Sequence, residues 1–273
     1  MKILFLALFG CVAAWGQTAD EQIFARQMKL PRGSTKAETA LTLARGLVGK
    51  PYVPHTLEQT PENLVCNLRQ YDCYTLVENV LALMLTRESL GNFSDYEQFV
   101  KKMRYRNGRI NGYGSRLHYF LEWIEQAEKY GYLRDITSDL GGQPIQKNIN
   151  FMTMHPGLYP ALTTGQVQKT ITESEQRSSK KTWHFIGKNK VSGILSKLQN
   201  GDIVAFTSEK EGLDFNHEGF VIRKNGQVHL LHASSDRRQV VVSSETLLEY
   251  LLKIKHHSGI VVLRLKLEEM IFL

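Results

Sequence analysis

The sequence predicts an α+β fold in which an N-terminal helical part packs on a C-terminal antiparallel sheet. In the first part of the chain apolar residues recur at three- and four-residue steps over 34–49 and 72–84, and after about residue 200 they alternate with period two. Helices therefore come first and strands afterwards, which is unlike the alternation of βαβ units. Hydrophobic residues make up 42% of the 273 and charged residues 22%, enough apolar material for a real core.

Taken in order, Ser34, Ala37, Leu41, Ala44, Leu47 and Val48 trace one helix, closed by Gly49-Lys50-Pro51. Asp72 then stands as an N-cap before Leu76, Val77, Val80, Leu81 and Met84, whose spacing draws one apolar stripe along a second helix. Residues 94–130 read as helical or mixed structure broken by the turn signals Asn107-Gly108 and Asn111-Gly112. The polar stretch from about 137 to 180 has no firm period and reads as a loop with short elements, of the kind that forms lids. Strands are expected at Asp202–Thr207, Gly219–Arg223, Gln227–His232, Gln239–Ser243 and Ile260–Leu265, with a helix at Glu245–Leu252 before the last. There is no internal repeat.

The first residues read as an export signal: Lys2 gives a positive start, Ile3 to Phe9 is unbroken apolar, and Ala14 and Gly16 are the small residues before a cut. Residues 1–16 are thus expected to be a signal peptide, which implies a periplasmic protein. An alternative makes Leu8-Phe9-Gly10-Cys11 a lipoprotein signal with a lipid anchor at Cys11. No stretch reaches the roughly 18 apolar residues of a transmembrane helix. Loss of Lys2 lowers the formal charge from +7 to +6, a modest excess that selects no partner by itself.

Without Cys11, Cys66 and Cys73 remain, either as a disulfide, as two buried thiols, or as something reactive. Cys73 follows the Asp72 cap directly, so its sulfur is expected among free N–H groups at the positive end of a helix, which favours thiolate. Such a nucleophile needs a base, and the base needs an orienting partner. If Asn225-Gly226 forms a two-residue hairpin, His217 opposes Ser234 and His232 opposes Gly219. His217 and His232 then share one face as diagonal neighbours, about 7–8 Å apart at the backbone. His229 falls on the other face, which argues against a metal site built from His229, His232 and His257.

At this point the residues resemble a family. Asp72-Cys73 opening a helix, Gly201-Asp202-Ile203-Val204-Ala205-Phe206, His217-Glu218-Gly219-Phe220-Val221-Ile222 and Leu231-His232-Ala233-Ser234-Ser235 occur in the order found in NlpC-type papain-like cysteine peptidases and amidases. Gly49-Lys50-Pro51-Tyr52-Val53-Pro54-His55-Thr56-Leu57-Glu58, Asp72 to Glu78, and Arg104 to Tyr119 look like its N-acetylmuramoyl-L-alanine amidase-like branch, once a domain of unknown function. The resemblance covers most of the chain after about residue 35.

The resemblance implies a papain-like cysteine amidase fold and a single catalytic domain over 17–273, with a pocket-forming insertion at about 92–195. It implies that Cys73 attacks a carbonyl, His217 carries the proton, His232 orients the imidazole, and Tyr52 helps bind the oxyanion. Substrate contacts are expected at Glu58, Arg116, His118, Tyr119 and Ser234. The bond implied joins N-acetylmuramic acid to L-Ala in peptidoglycan fragments, especially 1,6-anhydro muropeptides, with no metal or organic cofactor. Pro54-His55-Thr56 stands where wall endopeptidases usually carry Trp-Gly-Gly, which argues against their D-Glu specificity. That endopeptidase activity and a non-catalytic wall-binding module are the alternatives. Arginines interleaved with tyrosines over 104–119 also suit nucleic acid, but export argues for a sugar and a carboxylate instead, with no nucleic-acid partner.

Overall fold

A computed structural model describes residues 17–162 and 165–266, so the expected signal segment and Cys11 lie outside the described residues. The helices are α1 (Ala19–Met28), α2 (Lys36–Arg45), α3 (Cys73–Glu88), α4 (Phe93–Arg104), α5 (Phe120–Lys129), α6 (Phe151–Met154), α7 (Gly165–Ser179) and α8 (Leu247–Lys253). The strands are β1 (Leu133–Asp135), β2 (Gln143–Ile145), β3 (Trp183–Gly187), β4 (Ile203–Ser208), β5 (Phe215–Lys224), β6 (Gln227–Ser234), β7 (Gln239–Thr246) and β8 (His257–Leu265). They form one antiparallel sheet ordered β2-β3-β8-β4-β5-β6-β7, with β1 also on β8.

The helical part covers one face of the sheet. Leu76, Val77, Val80, Leu81 and Met84 of α3 pack with Ile203, Ala205, Phe220, Ile222, Leu231 and Ala233. On the opposite face Val204, Phe206, Val221 and Leu230 meet Leu247, Tyr250 and Leu251 of α8. This is the α+β architecture the sequence implied, with the helical part packed on a C-terminal antiparallel sheet. Strands alternate their side chains between faces, so each residue of β5 is committed to one of these two cores.

The helix α3 is more central than a single apolar stripe suggests, because every residue from Thr75 to Met84 is buried. Its polar members are satisfied internally. Glu78 accepts from Arg104 Nε at 2.9 Å, and Asn79 donates to the Thr75 carbonyl at 2.6 Å while accepting from Tyr96. Arg104 also donates to the Val65 carbonyl, tying α4 and the loop before α3 to the same charge pair.

The polar stretch expected as loop contains the 15-residue helix α7. Its buried side is mostly polar, with Ile171 beside Ser174, Glu175 and Ser178, so no apolar period marks it. Glu175 replaces apolar packing with hydrogen bonds, accepting from the Tyr119 hydroxyl at 2.6 Å and the Thr153 amide at 3.1 Å.

Glu78→Leu is expected to destabilise the protein by about 3–5 kcal/mol in urea unfolding, because it strands a buried guanidinium. Adding Arg104→Met should recover much of that loss; an equally unstable double variant would show that the pair is not the source.

Candidate active site

Cys73 owes its position to the cap before it. Asp72 Oδ1 accepts from Thr75 N at 2.8 Å, and Thr75 Oγ1 accepts from Asp72 N at 2.9 Å, so the reciprocal bonds fix where the helix begins. The first turn then points at β5. Both Cys66 and Cys73 are free thiols.

The β5–β6 hairpin has the register its turn demands. Asn225 and Gly226 both lie in the left-handed region, at φ 51° and 79°, and Phe220↔Leu231 to Lys224↔Gln227 are paired. Beyond Phe220 the ladder stops, so His217–Ser234 and Gly219–His232 are not strand partners as the register alone implies. There β5 keeps β4 on one side only, through His217↔Phe206, Glu218↔Ala205 and Gly219↔Val204. Val221 donates toward β4, to the Asp202 carbonyl at 2.7 Å, and peptide groups alternate, so the Glu218 N–H faces the side β6 has left. It faces the Cys73 sulfur, and the Glu218 carboxyl accepts from the thiol, which favours the protonated sulfur.

The two histidines meet on the opposite face of β5. His217 Nε2 and His232 Nδ1 are 2.7 Å apart, with both rings buried. In the tautomer where His217 Nε2 carries the proton, its Nδ1 lone pair is left free. Tyr250 of α8 packs on both, at ring centroid distances of 5.5 Å and 5.1 Å, and Phe206 lies 5.9 Å from His217. Gly219 is required by this approach, since a Cβ there would stand 2.8 Å from His232 Cβ and 3.0 Å from the Leu231 carbonyl.

Electrostatics reverse one expectation. Burial, then the charges of Glu218 and Asp72, hold the Cys73 thiol well above its ordinary range and outweigh the helix N-terminus. Burial also keeps His217 well below the usual imidazole value, reinforced by His232 and His257, and takes His232 down to about 4. The resting site therefore holds a thiol and neutral imidazoles. Cys66, pushed up to about 12 by burial, is inert.

A cleft of ≈ 250 Å³ opens beside Cys73, and Glu58, Arg116, His118 and Tyr119 all line it together with Asp214 and Glu218. Their roles differ. Glu58 accepts from Arg116 Nη2 at 2.8 Å and the Tyr113 hydroxyl at 3.0 Å, while Arg116 also pairs with Glu62 and covers the Tyr113 ring. Arg116 is thus held by two carboxylates and is not a free cation. His118 Nε2–H donates to the Tyr113 carbonyl at 2.9 Å, and burial keeps the ring neutral. Tyr119 offers the cleft only its ring, because its hydroxyl is tied to Glu175 and the Met152 amide. Ser234 lies elsewhere, in a second groove with His232, Asp236 and Tyr250. Tyr52 is close enough to Cys73 and Glu218 for their charges to raise its phenol, after burial.

Sequence reasoning passed over Glu218 and Tyr250. Alternation from His217 put Glu218 on the α3 side, and that signal was available. Tyr250 had none, because helical spacing does not say which strand a helix faces.

A helix that opens on a cysteine thus packs on an antiparallel sheet that carries an imidazole pair. A profile of the AmiA-like family, described as N-acetylmuramoyl-L-alanine amidase-like, matches residues 42–260, and the chain belongs to that family of amidase-like hydrolases. It is similar to a crystal structure of an N-acetylmuramoyl-L-alanine amidase from Bacteroides uniformis, with 37% identity, a TM-score of 0.81, and coverage of 85% of this chain and 99% of that one. A Bacteroides fragilis protein described as a candidate xylanase is also 37% identical, with a TM-score of 0.77 and coverage of 81% and 98%. The Legionella pneumophila protein LPG0564 shares the fold at 19% identity, TM-score 0.66, with coverage of 90% and 93%. Among curated proteins no sequence matches.

Gly219→Ala is expected to push His232 away and cost about 1–3 kcal/mol through overpacking. Long-range 15N NMR of the imidazoles should show loss of the His217–His232 hydrogen bond; an unchanged spectrum would contradict the close approach.

Proposed function

We propose that the protein hydrolyses the amide between N-acetylmuramic acid and L-Ala in peptidoglycan fragments, by nucleophilic catalysis at Cys73. The observation that carries this reading is the 2.7 Å imidazole pair on the strand whose next residue holds the cysteine. The family and the Bacteroides uniformis neighbour support the bond and the substrate class.

His217, through its free Nδ1, takes the thiol proton as the sulfur attacks the lactyl carbonyl. His232 holds the ring and the tautomer through Nε2. The tetrahedral oxyanion is met by N–H groups at the start of α3, with the Tyr52 hydroxyl beside them. Collapse breaks the C–N bond, and His217 returns the proton to the departing L-Ala nitrogen. Water, deprotonated by the same imidazole, then cleaves the muramoyl thioester. The chemistry asks for no cofactor.

The cleft walls come from 104–119 and from Met152 and Tyr159, within the segment expected as a pocket-forming insertion. Tyrosine rings with charges tethered behind them suit the apolar face and hydroxyls of a sugar, which agrees with a muropeptide, the 1,6-anhydro form included. We place the mature enzyme, as one catalytic domain after residue 16, in the periplasm on the strength of the leader. No helix among the described residues is long and apolar enough to cross a membrane.

Cys73→Ala and His217→Ala are each expected to lower peptide release from a defined muropeptide at least about a thousand-fold while the protein stays folded, read by mass spectrometry. Because the imidazole pKa is depressed, the base stays neutral below its ordinary value of about 6.5, so wild-type turnover should persist into mildly acidic buffer before falling. Undiminished release by Cys73→Ala would sink the reading.

A further inference from the structure

His55 stands on the wall of the cleft beside Cys73, and the fold gives no reason for a histidine there. Its backbone is left-handed, at φ 61°, a conformation that glycine takes without strain. The turn it makes is closed by main chain alone, the Glu58 N–H donating to the His55 carbonyl at 3.1 Å. The residue is exposed, and among the described residues its imidazole has no hydrogen bond, ion pair or ring contact. A side chain carried on an uncommon backbone conformation, with no partner inside the protein, points to a partner outside it.

The other neutral donors of the cleft sharpen the contrast. The Tyr74 hydroxyl donates to Glu78 at 3.4 Å, His118 Nε2 to the Tyr113 carbonyl at 2.9 Å, the Tyr119 hydroxyl to Glu175 at 2.6 Å, and Asn216 Nδ2 to the His256 carbonyl at 2.8 Å. Each is committed to the protein. Tyr159 is not. Its ring packs on the cluster that contains Tyr113, Tyr119 and Met152, while its hydroxyl has no partner among the described residues and is not sealed from solvent. Two side chains from separate segments, one before α3 and one after α6, thus bring unpaired donors to the cleft that Cys73 lines.

Charge decides which part of a substrate they meet. Among the described residues no arginine or lysine other than Arg116 lines the cleft, and Glu58 and Glu62 already hold that guanidinium. Glu58 and Asp72 stand on the same walls. A peptide that bears carboxylates meets like charge and no free cation there, whereas uncharged oxygens ask only for N–H and O–H donors.

We propose that His55 and Tyr159 are specificity-determining residues that contact the sugar side of the substrate, donating to its uncharged oxygens, the acetamido carbonyl and the hydroxyls. This rests on the amidase reading above, which leaves the sugar on the Cys73 side of the scissile bond. Neither residue takes part in bond breaking. Each holds the sugar equally in the ground state and the transition state, so its loss weakens binding and leaves the chemical step unchanged.

The test measures binding by isothermal titration calorimetry in the full chain carrying Cys73→Ala, alone and combined with H55G or Y159F. The probes are a 1,6-anhydro muropeptide with the peptide L-Ala-D-Glu-diaminopimelate, and that peptide free of the sugar. A neutral hydrogen bond implies that H55G and Y159F each bind the muropeptide roughly three- to ten-fold more weakly, with the Kd of the free peptide unchanged. H55G is also expected to keep its melting temperature, because glycine suits the left-handed backbone. Muropeptide affinity unchanged in both variants, equal weakening of muropeptide and free peptide, or a muropeptide that binds no better than the free peptide overturns the proposal. A fall of several degrees in the melting temperature of H55G would assign His55 to the fold and overturn its part. Release of peptide by Cys73→Ala would instead remove the nucleophilic reading, and the same ratios would then be read from KM.

Discussion

Where β6 leaves β5 beyond Phe220, one main-chain N–H in the middle of the sheet loses its strand partner, and the first turn of α3 takes that place. A buried N–H needs an acceptor, and the first turn of α3 brings the cysteine to that opening. The rest of the site follows from this seam. The hairpin turn sets which residues stand at the opening, the cap at Asp72 sets which residue of α3 enters it, and Gly219 lets β5 and His232 approach closely enough for the imidazoles to bond. The Glu78–Arg104 pair holds α3 from behind, joining it to α4 and to the loop that carries Cys66.

Two effects compete at Cys73, and their outcome shapes the chemistry. A helix N-terminus favours thiolate, by an amount that falls off within the first turn. Burial and two neighbouring carboxyl groups disfavour it more strongly. The resting site holds a thiol and neutral imidazoles, so in the proposed mechanism proton transfer accompanies attack instead of preceding it. Cleft electrostatics follow the same economy of free charge. Arg116 is held between Glu58 and Glu62, and His118 is neutral, so the walls present oriented dipoles and rings more than isolated ions.

Much of this was legible in the sequence, for identifiable reasons. Alternation along β5 and β6, anchored by Asn225-Gly226, brought His217 and His232 to one face, because strand parity survives even where the ladder itself opens. Asp72 marked the start of α3 because capping is a local property. Three things were hidden. The splay of β6 depends on α3 arriving from 140-odd residues away, which no local pattern encodes. The helix α7 buries Ser174, Glu175 and Ser178, so its period is carried by hydrogen bonds and not by hydropathy. The charge state of Cys73 depends on Glu218 and on burial, both of which need the tertiary structure. For the same reason the sequence did not show that Arg116 and Tyr119, which line the cleft, have their polar groups engaged within the protein.

The central claim is that Cys73 becomes acylated by the sugar side of the scissile amide. Rapid acid quenching of the wild-type enzyme with a defined muropeptide, followed by mass spectrometry of the Cys73 peptide, measures this directly. The account predicts an added mass equal to the muramoyl group, with the intact peptide released free. An adduct carrying L-Ala and D-Glu would contradict it and assign an endopeptidase, and turnover with no adduct on Cys73 under any quench time would contradict nucleophilic catalysis at this residue.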